Sequence, residues 1–336
     1  MSKNRTSVLA QIFRFQISVF TFHLSPFTSN IVWPFSKKTT IAASGILQGA
    51  VDHHSHILPG VDDGVETMDE ALRILATYEA MGIKELWLTP HIMEDIPNTP
   101  QKLAARFEEL KTNYKGNITL HLAAEYMIDN NLRKLLQNNC PSCVRGASNA
   151  VAEGDKATEP QGEISLNSPS LPRGTTRGSV VCDDGYFSTP KECPIGATKG
   201  EGVAPNSLLP IGTASKHILV ETSYFNPPMR FKETLRQIKS LGYYPLLAHP
   251  ERYMYMDNDE YRRLREEGVK FQLNLVSLAS GYGAVVRKKA LWLLTNGLYS
   301  VAGSDLHSED AIEYITKCRL GKQETEQVKS LLQNKI

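Results

Sequence analysis

The sequence predicts an α/β protein whose parallel strands close into a barrel. Three observations lead there. Short apolar runs alternate with amphipathic helical stretches seven times from residue 48 onward. The links are short, and Gly closes most of the helices. Residues able to do chemistry recur just after the strand-like runs, where α/β barrels carry their active sites. An open doubly wound sheet is the topological alternative.

The first strand is expected over 48–53 and runs into Asp52-His53-His54-Ser55-His56. A helix follows over 68–81, opened by a T-x-x-E capping box of Thr67 and Glu70 and closed by Gly82. The second strand is 84–89. The next helix starts at Pro100 behind Thr99 and stops at Gly116, with Pro just inside the start and Gly past the end. A third strand covers 118–124 and a helix 130–137. After the break discussed below, strands follow over 217–220, 244–248, 269–275 and 298–302. Between them stand helices over 231–241, 257–267 and 285–296, ended by Gly242, Gly268 and Gly297. Two helical tails are expected over 309–316 and 322–334.

Two segments fall outside the alternation. Residues 140–206 are rich in Gly, Pro, Ser and Thr and have no sustained period, so they cannot bury enough apolar surface to offset their ordering entropy. They read as a disordered insertion that divides the barrel into 48–139 and 207–336. Residues 1–47 read as a poorly ordered extension. Its apolar run is interrupted by Gln11, Arg14, Gln16 and His23. A secretory core needs about 7–15 unbroken apolar residues and a spanning helix about 20, so no firm membrane anchor is expected.

Lys and Arg number 37 against 36 Asp and Glu, a balance that leaves no bulk basic footprint for nucleic acid. Cysteine is present five times, an odd count, and Cys140, Cys143, Cys182 and Cys193 crowd the insertion. Their spacing fits zinc modules badly. The pattern suits a reduced, cytoplasmic enzyme rather than a disulfide scaffold.

The strand ends carry the chemistry. After the first stand His54 and His56, then Asp62-Asp63-Gly64. Thr89-Pro90-His91 follows the second, Glu125 the third and Glu221 the fourth. His249-Pro250-Glu251-Arg252 follows the fifth, the sixth ends in Asn274, and Asp305 and His307 follow the seventh. Alternation puts His54 and His56 on one face of an extended chain, about 6–7 Å apart. Five His, two Glu and at least two Asp at one rim exceed the four to six ligands of a single transition metal. They suit two or three ions with a bridging carboxylate. Such a cluster hydrolyses esters by a metal-activated water while clamping phosphoryl oxygens. Arg252 is placed to hold a phosphate oxygen, or else to pair with a neighbouring carboxylate such as Glu251.

Read from Asp52 to Gly64, the first motif resembles the opening of the polymerase and histidinol phosphatase (PHP) superfamily. Thr89-Pro90-His91, Ala124-Glu125-Tyr126, Leu219-Val220-Glu221-Thr222, Ala248-His249-Pro250-Glu251-Arg252-Tyr253, Gln272-Leu273-Asn274 and Gly303-Ser304-Asp305-Leu306-His307 continue the resemblance in order. Within the superfamily it is closest to the bacterial metal-dependent protein-tyrosine phosphatases of capsule and exopolysaccharide operons. The leader and the insertion depart from that pattern.

The resemblance implies a distorted, TIM-like (β/α)7 barrel of PHP type with three divalent ions, manganese first and zinc or iron next. His54, His56, Glu125 and Asp305 would surround one ion. Glu125 would bridge to a second, completed by Glu221 and His249, and Asp63, His91 and His307 would hold the third. Arg252, His249 and Asp305 form the implied catalytic set. The implied substrate is a phosphotyrosine protein, the tail of a tyrosine autokinase. A small-molecule phosphoesterase of histidinol-phosphatase type is the rival on the same scaffold, since fold does not fix substrate. A scaffold that has lost its metals is a second rival.

The cysteine-dependent tyrosine phosphatases need Arg six positions after the nucleophile. Here those positions hold Gly146, Asn149, Ser188, Lys199 and Glu324, which excludes the thiolate mechanism. Pro227-Pro228 and 253–255 are candidates for a peptide groove, with loop rigidity and barrel packing as the plainer reading.

Overall fold

A computed structural model describes residues 38–139 and 207–336. The expected insertion, its four cysteines and most of the expected N-terminal extension lie outside the described residues.

Strands follow in the order β1 (Thr39–Thr40), β2 (Val51–Ser55), β3 (Glu85–Leu88), β4 (His91–Ile92), β5 (Thr119–Leu122), β6 (Glu125–Met127), β7 (His217–Glu221), β8 (Tyr244–Ala248), β9 (Lys270–Asn274), β10 (Val301–Gly303) and β11 (Arg319–Leu320). Two parallel sheets carry the fold, ordered β2-β3-β5 and β10-β9-β8-β7-β6-β4. The result is a mixed α/β fold with curled parallel sheets rather than one unbroken ladder.

The ladder breaks just past the expected second and third strands, where β4 and β6, which the sequence reading did not include, follow β3 and β5 and join the other sheet. Between β3 and β4 stands Pro90, which has no amide hydrogen for a central ladder. Between β5 and β6 the amide of Ala123 bonds Leu88, whereas that of Ala124 turns to Leu209. At the other end β2 meets the segment after β10: Asp305 N donates to the His54 carbonyl at 2.8 Å and His56 N to the Leu306 carbonyl at 2.9 Å.

Alternation along the strands separates two cores. Ile218, Val220, Leu247, Phe271 and Leu273 join the large cluster shared with the helices. Leu219, Leu246, Ala248, Trp87 and Val301 form a smaller cluster on the opposite face.

The helices follow their local signals. In Met68–Met81 the Thr67 hydroxyl accepts from Glu70 N at 3.2 Å, and Ala71, Ile74, Leu75 and Tyr78 form the buried stripe. Pro100–Asn113 is capped the same way by Thr99. Asp129 and Asp257 cap Asn130–Asn138 and Asn258–Glu266. Phe231–Ser240, Gly283–Thr295, Asp310–Lys317 and Lys322–Gln333 lie within two residues of their expected bounds.

Three features differ from the sequence reading. The packed body reaches back past residue 48: β1 pairs antiparallel with β11, and Ile41, Ile46 and Leu47 are buried. That part of 1–47 is therefore not an extension. The first strand starts at Val51, because a turn with Gly45 and Gly49 at positive φ occupies the preceding residues. A short helix, Leu275–Leu278, and a 3-10 turn, Pro250–Arg252, stand at strand ends where only loops were expected.

Candidate metal centre

His54 lies in β2, and His56 and Asp63 lie just beyond it. His91 and Glu125 open β4 and β6, and Glu221 closes β7. His249 follows β8, and Asp305 and His307 follow β10. The structure brings all nine together. Their donor atoms fall into three groups, each within 4.8 Å: His54, Glu125, His249 and Asp305; His56, Asp63, His91 and His307; and His91, Glu125 and Glu221. This differs from the implied partition in placing His56 with the Asp63 group and His249 with His54. The His56 Nε2 nevertheless reaches both neighbours, at 3.3 Å from Glu125 Oε2 and 3.4 Å from Asp305 Oδ1.

Glu125 is the hub. Its Oε2 lies 3.1 Å from His54 Nε2 and 3.3 Å from His91 Nδ1, and its Oε1 lies 3.2 Å from His249 Nε2. His91 Nδ1 is also 3.3 Å from Glu221 Oε1, and its Nε2 is 3.4 Å from Asp63 Oδ1. His307 Nε2 is 3.7 Å from that same Asp63 oxygen. Except for Asp63 and His307, the nine side chains are buried.

The donor set fits cations. His54 Nδ1 faces Gln272 Oε1 at 3.0 Å, and His56 Nδ1 faces Asp62 Oδ2 at 2.8 Å. Each of these partners is an acceptor, which assigns the proton of each neutral ring to Nδ1 and leaves the Nε2 lone pairs bare. Those two Nε2 atoms oppose each other at 3.1 Å and both face carboxylate oxygens. Acceptors turned on acceptors in a buried site call for positive charge at their meeting point.

The titration directions agree. Burial alone would push the His54 and His56 imidazoles down, yet the carboxylates of Glu125, Asp305 and Asp62 raise both above the ordinary range. Burial would likewise raise Glu125 and Asp305, but the surrounding imidazoles hold both carboxyls low. Burial, then the Glu125 and Asp305 charges, raises Glu221 well above a normal carboxyl. Burial and the His56 charge lower His91 to about 4, and burial also lowers His249 and His307. A divalent cation satisfies that demand without protonating the ligands.

Two candidate ligands sit in left-handed backbone, His249 at φ 32° and Asp305 at φ 52°. Non-glycine residues rarely adopt this conformation, and its cost is characteristic of functional sites. It turns each side chain inward immediately after its strand ends.

The sequence did not reveal which residues hold which candidate ligand. Asp62 orients His56 and also accepts from His91 N at 3.0 Å. Gln272 orients His54, and Asn274 Nδ2 donates to Asp305 Oδ2 at 2.7 Å. Asp62 stood beside a candidate ligand in its loop, and Gln272 and Asn274 stood in the Gln272-Leu273-Asn274 motif, but none of the three announced its partner. Arg252 Nη1 donates to Asp305 Oδ2 at 2.9 Å, so its ion pair is with a candidate ligand and not with Glu251. Glu251 is buried, bonded to Tyr299 and to Asn274 N, and burial raises its carboxyl to about 7.

Above these groups opens a cleft of about 700 Å³, lined by Tyr224, Phe225, Arg252, Tyr282 and Tyr314 among others. The stretches considered for a peptide groove, Pro227-Pro228 and 253–255, do not line this cleft. Tyr253 is a core residue whose hydroxyl donates to Ala248 O.

The sequence profile of the capsular polysaccharide synthesis CpsB/CapC family matches residues 50–160 and 204–332. The CapC protein of Staphylococcus aureus is 22% identical over 264 residues, 77% of each chain. Tyrosine-protein phosphatase CpsB of Streptococcus pneumoniae is 23% identical over 274 residues, 78% of this chain and 84% of the relative. Among solved structures, those of YwqE from Bacillus subtilis and CpsB from Streptococcus pneumoniae, described as metal-dependent tyrosine phosphatases, share the fold. That match has a TM-score of 0.53 at 18% identity and covers 85% of this chain and 95% of the other. Sequence motifs, curled parallel sheets and a matching profile over most of the chain agree: this protein belongs to the CpsB/CapC family of capsular polysaccharide synthesis.

Proposed function

We propose that this chain is a metal-dependent protein-tyrosine phosphatase acting in capsule or exopolysaccharide synthesis. The observation that carries the reading is the convergence of nine His, Asp and Glu side chains beneath an open cleft that also holds Arg252. The named activities of the relatives support it. We read the two sheets as a distorted (β/α)7 barrel of PHP type, since β2 is hydrogen-bonded to the segment after β10.

His54, His56, Asp63, His91, Glu125, Glu221, His249, Asp305 and His307 would hold three divalent ions, manganese foremost. When bound, the ions supply charge to the phosphoryl oxygens and acidity to water. The chain's own residues do the rest. Glu125 presents one oxygen to the His54 and His91 side and the other to His249, so it ties the groups together. Arg252 lines the cleft and, with the donors not used by Asp305, would hold a phosphate oxygen. The tyrosyl oxygen, with a pKa of about 10, leaves more readily when positive charge stands beside it.

The substrate we propose is the phosphorylated tail of a tyrosine autokinase, in the cytoplasm. The cleft is open rather than enclosed, as a peptide requires. Cys318 is a free buried thiol, consistent with a reducing compartment. Among the described residues no helix is long and apolar enough to cross a membrane.

The test compares hydrolysis of a phosphotyrosine peptide and of histidinol phosphate by the full chain, with manganese and after chelation. The reading predicts metal-dependent turnover that favours the peptide. Preference for histidinol phosphate would move the chain to the small-molecule phosphoesterases, and full activity after chelation would overturn the metal-dependent mechanism.

A further inference from the structure

Arg252 is the one Lys or Arg side chain among the described residues that line the cleft. Two tyrosine rings pack against its guanidinium. Its Cζ lies 4.3 Å from the ring centroid of Tyr224 and 4.1 Å from that of Tyr282. A guanidinium carries all its N–H donors in its plane, so rings packed against its faces leave recognition to the edge donors. One edge donor is used: Nη1 binds Asp305 Oδ2, the one acceptor of this guanidinium among the described residues.

The two walls are built differently. Tyr224 is fixed from behind: its ring stacks on Tyr253 at 6.2 Å, and its carbonyl accepts from Met254 N at 2.7 Å. Tyr282 is 37% exposed, more than the half-buried Tyr224. It sits in a turn between Ser280 at φ 65° and Gly283 at φ 89°. Its hydroxyl lies 3.4 Å from Asn274 Nδ2, the same nitrogen that binds Asp305 Oδ2 at 2.7 Å. Tyr282 is therefore linked to the carboxylate that Arg252 pairs with.

The geometry points to Tyr224 and Tyr282 as positioning residues that clamp Arg252 edge-on to the substrate phosphate, with Tyr282 as the outer wall. This rests on the reading of Arg252 as the phosphate holder. An unclamped arginine loses rotamer freedom each time it binds phosphate. A clamped one has lost that freedom in advance, and the aromatic faces stabilise its charge. The ring face of Tyr282 carries this role rather than its long hydroxyl contact.

The experiment uses the full, manganese-loaded chain in four variants: Tyr282→Leu, Tyr282→Phe, Arg252→Ala, and Arg252→Ala combined with Tyr282→Leu. The readouts are kcat and KM on a phosphotyrosine peptide and, independently, the Kd of inorganic phosphate by calorimetry. Tyr282→Leu is expected to raise KM and the phosphate Kd on the order of tenfold, with kcat changed less. Tyr282→Phe restores both to within about twofold. In the Arg252→Ala background Tyr282→Leu adds nothing, because the clamp has nothing left to hold. Native phosphate affinity in Tyr282→Leu, or an equal loss with and without Arg252, overturns the clamp. Native affinity in Arg252→Ala instead refutes the phosphate reading of Arg252, and that outcome is separable from failure of the clamp alone.

Discussion

Gln272 Oε1 lies 3.0 Å from His54 Nδ1, joining β9 to a candidate ligand 218 residues away. The same oxygen accepts from the backbone nitrogen of His249 at 3.2 Å. One neutral amide thus sets the ring orientation of one candidate ligand and the backbone of another. Replacing such a supporting partner commonly lowers metal affinity about 10–100-fold. Gln272→Met, which keeps volume, is expected to weaken manganese binding by that factor while the chain remains folded, as read by calorimetry. Unchanged affinity would make Gln272 an ordinary core residue.

Gly303 faces the same ligand from β10. A Cβ built there would stand 2.5 Å from the Cβ of His54 and 2.7 Å from its backbone nitrogen. Neither atom is the end of a flexible side chain, so the strand must shift. Overpacking of this kind costs about 1–3 kcal/mol. Gly303→Ala should lower stability to urea by that amount and also reduce metal uptake, since His54 is displaced. Normal stability with normal uptake would contradict the close approach.

Far from the site, His217 at the start of β7 is 5% exposed, and neither ring nitrogen has a hydrogen-bond partner among the described residues. Burial, helped by Lys270 and His53, lowers its imidazole to about 4, against about 6.5 when unfolded. Between those values the unfolded chain binds more protons than the folded one. The stabilising effect is therefore complete above about pH 6.5 and is lost as pH falls toward 4. Its share between pH 7 and pH 5 is on the order of 2 kcal/mol. His217→Phe should remove that share, so that urea midpoints at pH 7 and pH 5 lie closer together than in the native chain. An identical pH slope in both proteins would refute it.

Cys318 at the end of Asp310–Lys317 is a buried thiol, and burial pushes its pKa up to about 11. At pH 8 the reactive thiolate is then a minor species, roughly one part in a thousand. Iodoacetamide at pH 8 should label the peptide containing Cys318 at least about tenfold more slowly in the native chain than in urea. Equal rates would show that the helix end opens freely.

What the sequence made legible was local or periodic. Thr67 and Thr99 announced their helices because a cap is written within four residues. The nine site residues stood out because each follows a strand-like run, and the fold carries strand ends to one place. Contacts formed by distant partners were not legible. Gln272 and Asn274 stood in a recognisable motif, but which candidate ligand each holds depends on the arrival of His54 and Asp305. Tyr224 and Tyr282 flank Arg252 from loops 58 residues apart, which no spacing could indicate. The change of sheet just past 84–89 and 118–124 depends on which carbonyl each amide finds, as at Ala123 and Ala124. Residues 38–47 were too short and irregular to read as elements, although Ile41 and Ile46 are buried.

Metal uptake decides the central claim. Equilibrium dialysis of the full chain against manganese, read by elemental analysis, should find more than one ion per folded chain. Uptake should drop in Glu125→Gln, because Glu125 reaches the His54, His91 and His249 donors alike. A folded chain that binds no divalent ion, or that takes up equal metal without the Glu125 carboxylate, would contradict the account.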